Sequence, residues 1–412
     1  MKFLLFIVSL VIPIIALSDT ISVCDTCEVN SIKTAISLAE DGDQLIIHSG
    51  LYTESSIFID KKLHIKGIDN PIIDGSNLRD EEVFVIQADS VVIEGIQVQN
   101  VGPSYVKDLA AIRVQRKKHF EIKNNIIIGS MFAIYLEYAD SGIVKNNEII
   151  GNEVNVLSSG NGIHAWYCTD LQIINNSVDS QRDGMYFEFV KNSIITDNKC
   201  TNNLRYGLHF MFSNFDDYNN NIFKNNGAGV AVMFSNNISM RNNHFVDNWG
   251  GSSYGLLLKE IYDAEIENNE FIRNSIGIRV EGSTRINYRY NKFLSNGWAI
   301  KIAGGCYDNN ISSNNFISNS FDLSLESAVN NNILNGNYWS SYSGYDLNKD
   351  GIGDVPHRPV ELFNYIVTKT PEATVLLRSL FLDLINLSEK VTPIFTPANV
   401  IDKSPKMKRI AF

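Results

Sequence analysis

The chain is poor in positive charge. Its 412 residues carry 35 Lys and Arg against 46 Asp and Glu, for a net charge of -11. That balance argues against nucleic acid and anionic membrane surfaces as partners, because both repel an acidic protein. Cysteine is scarce too, at five residues, an odd number that leaves at least one thiol unpaired. Cys24 and Cys27 form a C-x-x-C whose spacing fits a local disulfide in an oxidising compartment. A metal or redox pair has the same spacing, but no thioredoxin-like βαβ pattern surrounds these two. Cys168 and Cys306 lie several repeats apart and are not expected to pair. Long apolar runs are also missing. The run Phe3–Ile15 and the stretch Pro371–Lys390 are both short for a bilayer-spanning helix. Between residues 43 and 340 no stretch is long enough and regular enough to be a helix of any kind.

What fills that region is a repeat. An Asn returns at Asn125, Asn147, Asn176, Asn198, Asn221, Asn243, Asn269, Asn291 and Asn314, at spacings of 22, 29, 22, 23, 22, 26, 22 and 23. A glycine comb runs in phase with it: Gly162, Gly184, Gly207, Gly229, Gly255 and Gly277. Short apolar alternations fill the gaps, and period two is the signal of a strand. A fixed period near 22 with about three short strands per repeat predicts an all-β, right-handed parallel β-helix, a solenoid of about 22–23 residues per coil. Coils about 4.8 Å apart would align the Asn side chains into a ladder. Roughly thirteen coils fit between Asp43 and residue 340, a rod on the order of 60 Å long.

The register sorts side chains. The first and third residues after each comb Gly are apolar and face inward, as in Met185 and Phe187, or Leu208 and Phe210. A second inward column runs Ile149, Val178, Cys200, Phe223, Phe245, Phe271, Phe293 and Phe316. Upstream, Ile32, Ala35, Ile36 and Ala39 share one face of a short helix able to cap the first coil. Residues 1–18 read as a signal peptide: Lys2, an apolar run, then small residues ending at Ser18, near which cleavage is expected. The mature protein is then exported. The expected organisation is a signal peptide (1–18), an N-terminal extension with its capping helix (19–42), the β-helix (43–340), an acidic loop (341–360), and a C-terminal helix with an extended tail (361–412).

The second and fourth residues after each comb Gly point outward. One column reads His164, Tyr186, His209, Ala231, Leu257, Arg279, Lys301, and the other Trp166, Glu188, Met211, Met233, Lys259, Glu281. The upper coils carry ordinary charges. The coils from 162 to 233 carry His, Met, Trp and Tyr instead. Thioether and imidazole together suit a soft cation, Cu(I) above all. Exposed Met and aromatics also make an adaptable protein-binding patch. Asp346, Asn348, Asp350 and Asp354 have the oxygen spacing of a Ca²⁺ loop around Gly351, although His357 stands where a bidentate Glu would close it. Alternatively the loop is a turn held by Asx bonds. From Pro371 to Lys390 a helical pattern carries a broad apolar stripe, including Leu380, Leu384 and Ile385, which must cover the last coil or dock on another protein. The tail from Thr392 is Pro-rich and ends basic, an extended arm in this reading.

The segments RDGMYFEF (182–189), LRYGLHFMFSN (204–214), AGVAVMFSNN (228–237), YGLLLKE (254–260) and NYWSSYSGYDLNKDGIGDVPHRP (337–359) resemble the NosD family. The likeness runs in order from about residue 40 to 390; the C-x-x-C and the loop at 151–161 depart from it. It implies a periplasmic, non-enzymatic accessory protein for maturation of the copper–sulfide centre of nitrous oxide reductase. Such a protein works with an ABC transporter in copper or sulfur delivery. It would contact the transporter's membrane subunit through the C-terminal helix, and dock the reductase and a small copper chaperone. The motif match falls on Glu188, His209, Met211 and Met233, the candidates for transient copper contact or docking. Two other readings compete. A polysaccharide lyase or hydrolase needs clustered carboxylates, for which Asp216-Asp217 is the only obvious pair. A carbohydrate-binding module or adhesin would use Trp166, Tyr186 and Phe212 as stacking platforms.

Overall fold

The structure, a computed structural model, describes residues 18–412 except 77–79, 103, 105–106, 153–158, 327–330, 361, 371–372, 374–378, 381–383 and 386–399. All but the last residue of the expected signal peptide, and most of the apolar stretch 371–390, lie outside the described residues. The rest is a parallel β-helix. Three sheets of 14, 12 and 13 strands run along it, and each strand pairs in parallel with its counterpart one coil away. The leading sheet holds strands such as Ile194–Thr196, the phenylalanine sheet strands such as Ile222–Lys224, and the glycine-led sheet the longer strands such as Tyr206–Met211.

The corners explain the repeat. Asn221 donates its backbone N–H and its Nδ2 to Asn243 Oδ1, at 2.9 and 3.0 Å, and its Nδ2 also reaches the Ile195 carbonyl. The same pattern recurs from Asn125 to Asn314 and on to Asn337. Every member is buried, so each rung satisfies groups that would otherwise be orphaned. The residue before each ladder Asn lies in the left-handed region (Asn220 φ 55°, Asn242 φ 56°), which a short polar side chain tolerates best. A second ladder stands five residues on: Asn203, Asn226, Asn248, Asn274, Asn296 and Asn319, one at each turn into the glycine-led sheet. That ladder is spelled out in the sequence at the same period, hidden by the stronger first comb.

The comb glycines have a steric purpose. A Cβ on Gly184 would meet the Gly207 carbonyl oxygen at 2.5 Å, and one on Gly207 the Gly229 oxygen at 2.8 Å. They are glycine because adjacent coils approach closely, and their φ angles are ordinary. Inside, the inward columns are fully buried. Phe223, Phe245, Phe271, Phe293, Phe316 and Trp339 stack with ring centroids 4.1–5.5 Å apart. Each such ring contributes on the order of 2–3 kcal/mol by burial. Cys168, Cys200 and Cys306 are free and buried, while Cys24 and Cys27 form a disulfide.

The two ends differ from expectation. The strand Thr20–Val23 pairs with Gln44–Ile47, so the stack begins before the capping helix and not at Asp43. That helix, α1 (Ile32–Leu38), is too short to persist alone. Coil residues hold it at both ends. The Glu54 carboxylate accepts from Ile32 N, Lys33 N and Ser31 Oγ, and Lys61 Nζ donates to the carbonyls of Ile36, Ser37 and Ala39. At the other end, residues 400–412 are no free arm. They fold back on the last coil, and buried Asp402 occupies the place of the next ladder Asn. Its carboxylate accepts from Gly336 N, Asn337 N, Asn337 Nδ2, Trp339 Nε1 and Ser404 N. Sequence patterning could not place this residue, because the partner lies 65 positions away. Helix α2 (Leu362–Lys369) packs Phe363 and Val367 against Phe321 on the glycine-led sheet.

Candidate functional site

The outer face of the glycine-led sheet assembles the sequence-predicted residues in register. Glu188 pairs with Met211, and Met211 with Met233, on three consecutive coils. All three are half-buried, with Trp166 one coil below and Lys259 one above. His209 lies in the neighbouring column, two residues from Met211 on one strand.

That neighbouring column points outward but is not open to solvent as expected. His209 is 8% exposed, Leu257 6% and Ala231 0%. The edge residues of the same face, Tyr206, Ala228, Tyr254 and Ile276, lean over it and make a second apolar layer. His209 is enclosed by Tyr186 (ring centroids 5.1 Å) and Tyr206 (4.8 Å). Neither of its ring nitrogens has a hydrogen-bond partner. Burial, helped by the nearby Arg205 cation, pushes its pKa down to about 4, so the ring is neutral at ordinary pH. His164 behaves alike: burial lowers it to about 3, and its Nδ1 stands 3.0 Å from Asn161 Nδ2. A neutral imidazole with an unengaged lone pair is a ligand that needs no deprotonation.

Beside the methionines runs a column that the sequence reading missed. Tyr138, Tyr167, Phe189, Phe212 and Phe234 stack face to face on five successive coils, with centroids 5.2, 4.3, 5.0 and 5.1 Å apart. Each takes a left-handed backbone, φ 50–56°. That is a strained choice for a bulky residue, costing about 1–2 kcal/mol each. The signal was present, since each follows directly on the outward column, as in Glu188-Phe189, Met211-Phe212 and Met233-Phe234. Phe212 is a poor sugar platform because both ring faces are taken by Phe189 and Phe234. Tyr186 is wedged between His164 and His209, and Trp166 packs edge-on against Tyr138 and Tyr167.

The carboxylates do not form a hydrolytic pair. Asp216 is buried inside the coil, where it accepts from Ser193 N and burial raises its pKa, while Asp217 lies exposed on its strand. Asp183 is fully buried and held by Arg205 in two bonds of 3.0 and 2.9 Å. Burial still raises its pKa, with the arginine opposing. Lower on the same face a cavity of about 580 Å³ surrounds Arg113. That guanidinium is engaged by Glu82, Glu137 and the Asp108 carbonyl, which closes it as an ion network.

The acidic loop closes on its own backbone. Asp346 accepts from Asp350 N and Gly351 N, Asp350 from Ile352 N, and Asp354 from Leu347 N, while Asn348 donates to Asp350. Among the described residues no group of three or more His, Cys, Asp or Glu could hold a metal ion. The Ca²⁺ reading of this loop therefore gains no support. The loop instead grips the tail, with Gly353 N donating to the Pro405 carbonyl and Met407 N to that of Gly351. Of the expected C-terminal helix, Leu380 and Leu384 are described and exposed.

Residues 145–344 match the family model described as periplasmic copper-binding protein (NosD). A protein of Pseudomonas aeruginosa named probable ABC transporter binding protein NosD is 27% identical over 423 aligned residues, covering 90% of each chain. One of the same name from Stutzerimonas stutzeri is 32% identical over 73 residues, which span only 17% of that protein. Among solved structures, the chain resembles a family 28 exopolygalacturonase of Yersinia enterocolitica (TM-score 0.55, 10% identity, 77% of this chain and 78% of that one). It also resembles a mannuronan C-5 epimerase A-module of Azotobacter vinelandii (0.53, 13%, 76% and 97%). At such identities the likeness concerns the β-helix alone.

Proposed function

We propose that this chain, which matches the NosD family over residues 145–344, is an exported accessory protein for the copper–sulfide centre of nitrous oxide reductase. It acts at the periplasmic side of an ABC transporter. The family description as periplasmic and copper-binding, and the relatives' name as transporter binding proteins, support this reading. Copper is cargo here, held briefly by Met211 and Met233 with His209 beside them and Glu188 at the end of the column. The observation that carries the reading is the register: two thioethers on adjacent coils next to a buried, neutral imidazole without a hydrogen-bond partner. Thioether and imidazole favour Cu(I) over harder ions. A polar group buried without a partner is unfavourable unless something engages it. The exposed aromatic column beside this site suits docking of the reductase or a small copper chaperone. The apolar stretch 371–390 would contact the transporter's membrane subunit. The described residues on either side of it, α2 and 400–412, both pack on the last coils.

In cells expressing only Met211→Ala/Met233→Ala, the reductase should be made and exported but carry little copper, measured by elemental analysis of the purified enzyme. Normal copper content in that strain would refute the role of these residues. Release of reducing sugars from acidic glycans by the purified chain would refute the accessory role altogether.

A further inference from the structure

A second cavity, of about 510 Å³, opens on the same face farther up, between the strands around residues 254–301 and helix α2. Its size lies in the range of small-ligand sites. Tyr254, Ile276 and Trp298 occupy one column on three successive coils, as Ile276 pairs with Trp298 and Gly255 N donates to the Ile276 carbonyl. Tyr254 and Trp298 thus stand roughly 10 Å apart along the axis. The smaller Ile276 between them leaves a slot with two aromatic ends. Leu257 forms its floor, and Val367 of α2 closes it from above. Trp298 is braced from behind by Phe321 at 5.2 Å, and Phe363 and Val367 pack on Phe321 in turn, so the walls are fixed.

The polar side of the slot carries two cations and one carboxylate. Arg279 and Lys301 are register partners and face the same way. Among the described residues Glu281 is the only carboxylate in the lining, and it engages Arg279 Nε at 2.5 Å. Lys301 sits 5.7 Å from the Trp298 ring centroid and 3.5 Å from Glu326, an ion pair longer than a good charge-assisted bond. On a chain of net charge -11, this lining is net positive. We propose that the slot binds a small planar aromatic carboxylate, its ring between Tyr254 and Trp298 and its carboxylate against Lys301 and Arg279. Aromatic faces take the ring, and the two cations set the required charge.

Calorimetric titration of the full chain with indole-3-acetate tests this. Saturable binding at one site is expected, weakened roughly tenfold or more in Ile276→Trp, which fills the slot. Lys301→Met should weaken the acid by a similar factor and leave the neutral indole-3-acetamide unchanged, and this holds even if Ile276→Trp misfolds. Met211→Ala/Met233→Ala, which removes the proposed copper residues, should bind indole-3-acetate as the unaltered chain does. No saturable heat from the unaltered chain, or equal affinity for the acid in Lys301→Met, would overturn the proposal.

Discussion

The coils at 183–233 and those at 255–302 have the same backbone. Both continue the two Asn ladders, both pack a Phe in the same inward column, and both lead a strand of the third sheet with a glycine or, at Ala299, its nearest substitute. Their outer faces differ. The lower coils present Glu188, Met211 and Met233 beside stacked aromatics. The upper coils present Lys259, Glu281, Arg279 and Lys301, with ion pairs Arg279–Glu281 and Lys301–Glu326. In a solenoid each coil answers only to its neighbours, so the inward positions are fixed by packing and the outward ones are free for other uses. A departure from ordinary surface chemistry on an otherwise regular stack therefore has no structural reason to exist.

If that division is right, damage should sort by direction. The largest effect belongs to the shared interior. Phe271→Ala removes a ring stacked 4.6 Å from Phe245 and 5.0 Å from Phe293, and should destabilise the chain by about 3–5 kcal/mol in chemical denaturation. Next comes acidity, acting on the lower face. Burial lowers His209 from 6.5 to about 4, so the unfolded chain binds the extra proton more readily. The share of stability from His209 is then full above about pH 6.5 and falls as pH drops toward 4, by up to about 3 kcal/mol, and buried His164 adds a loss of the same sign. Measured by thermal melts across that window, His209→Phe should flatten the slope, whereas Arg279→Leu on the upper face should not. Third is the end cap. Asp402→Asn turns an amide toward N–H donors where five hydrogen bonds need an acceptor. The loss should be about 2 kcal/mol, with faster proteolysis after residue 400. The smallest effect on stability, under about 1 kcal/mol, is expected of Met211→Lys/Met233→Lys, which gives the lower column the character of the upper one. Conversely, Lys259→Met adds a third thioether in register and should tighten Cu(I) binding a few-fold.

Much of this was legible beforehand, for a physical reason. Period, register and the inward columns are local and repeated, so Asn221 or Phe245 announces its place by its spacing. Met211 and Met233 could be aligned on one face for the same reason. What could not be read is what depends on contacts outside the repeat. His209 looked solvent-facing because spacing gives the direction of a side chain and not that Tyr206 of the same strand and Tyr186 of the coil below close over it. Asp402 looked like part of a loose arm because its partners lie on a coil more than 60 residues earlier. The Asp346–Asp354 spacing suggested an ion, yet the same short acidic side chains serve equally to close turns on backbone N–H groups. The aromatic column was visible in the text of the repeats but fell at corner positions, just past the strand residues whose direction the register gives.

The central claim is that the lower outer face, and not the scaffold, handles copper. Titration with Cu(I) under reducing conditions, in competition with a chromogenic chelator, tests it most directly. The unaltered chain should withdraw Cu(I) from the chelator, Met211→Ala/Met233→Ala should not, and both should melt at nearly the same temperature. Equal Cu(I) uptake by the two proteins would contradict it.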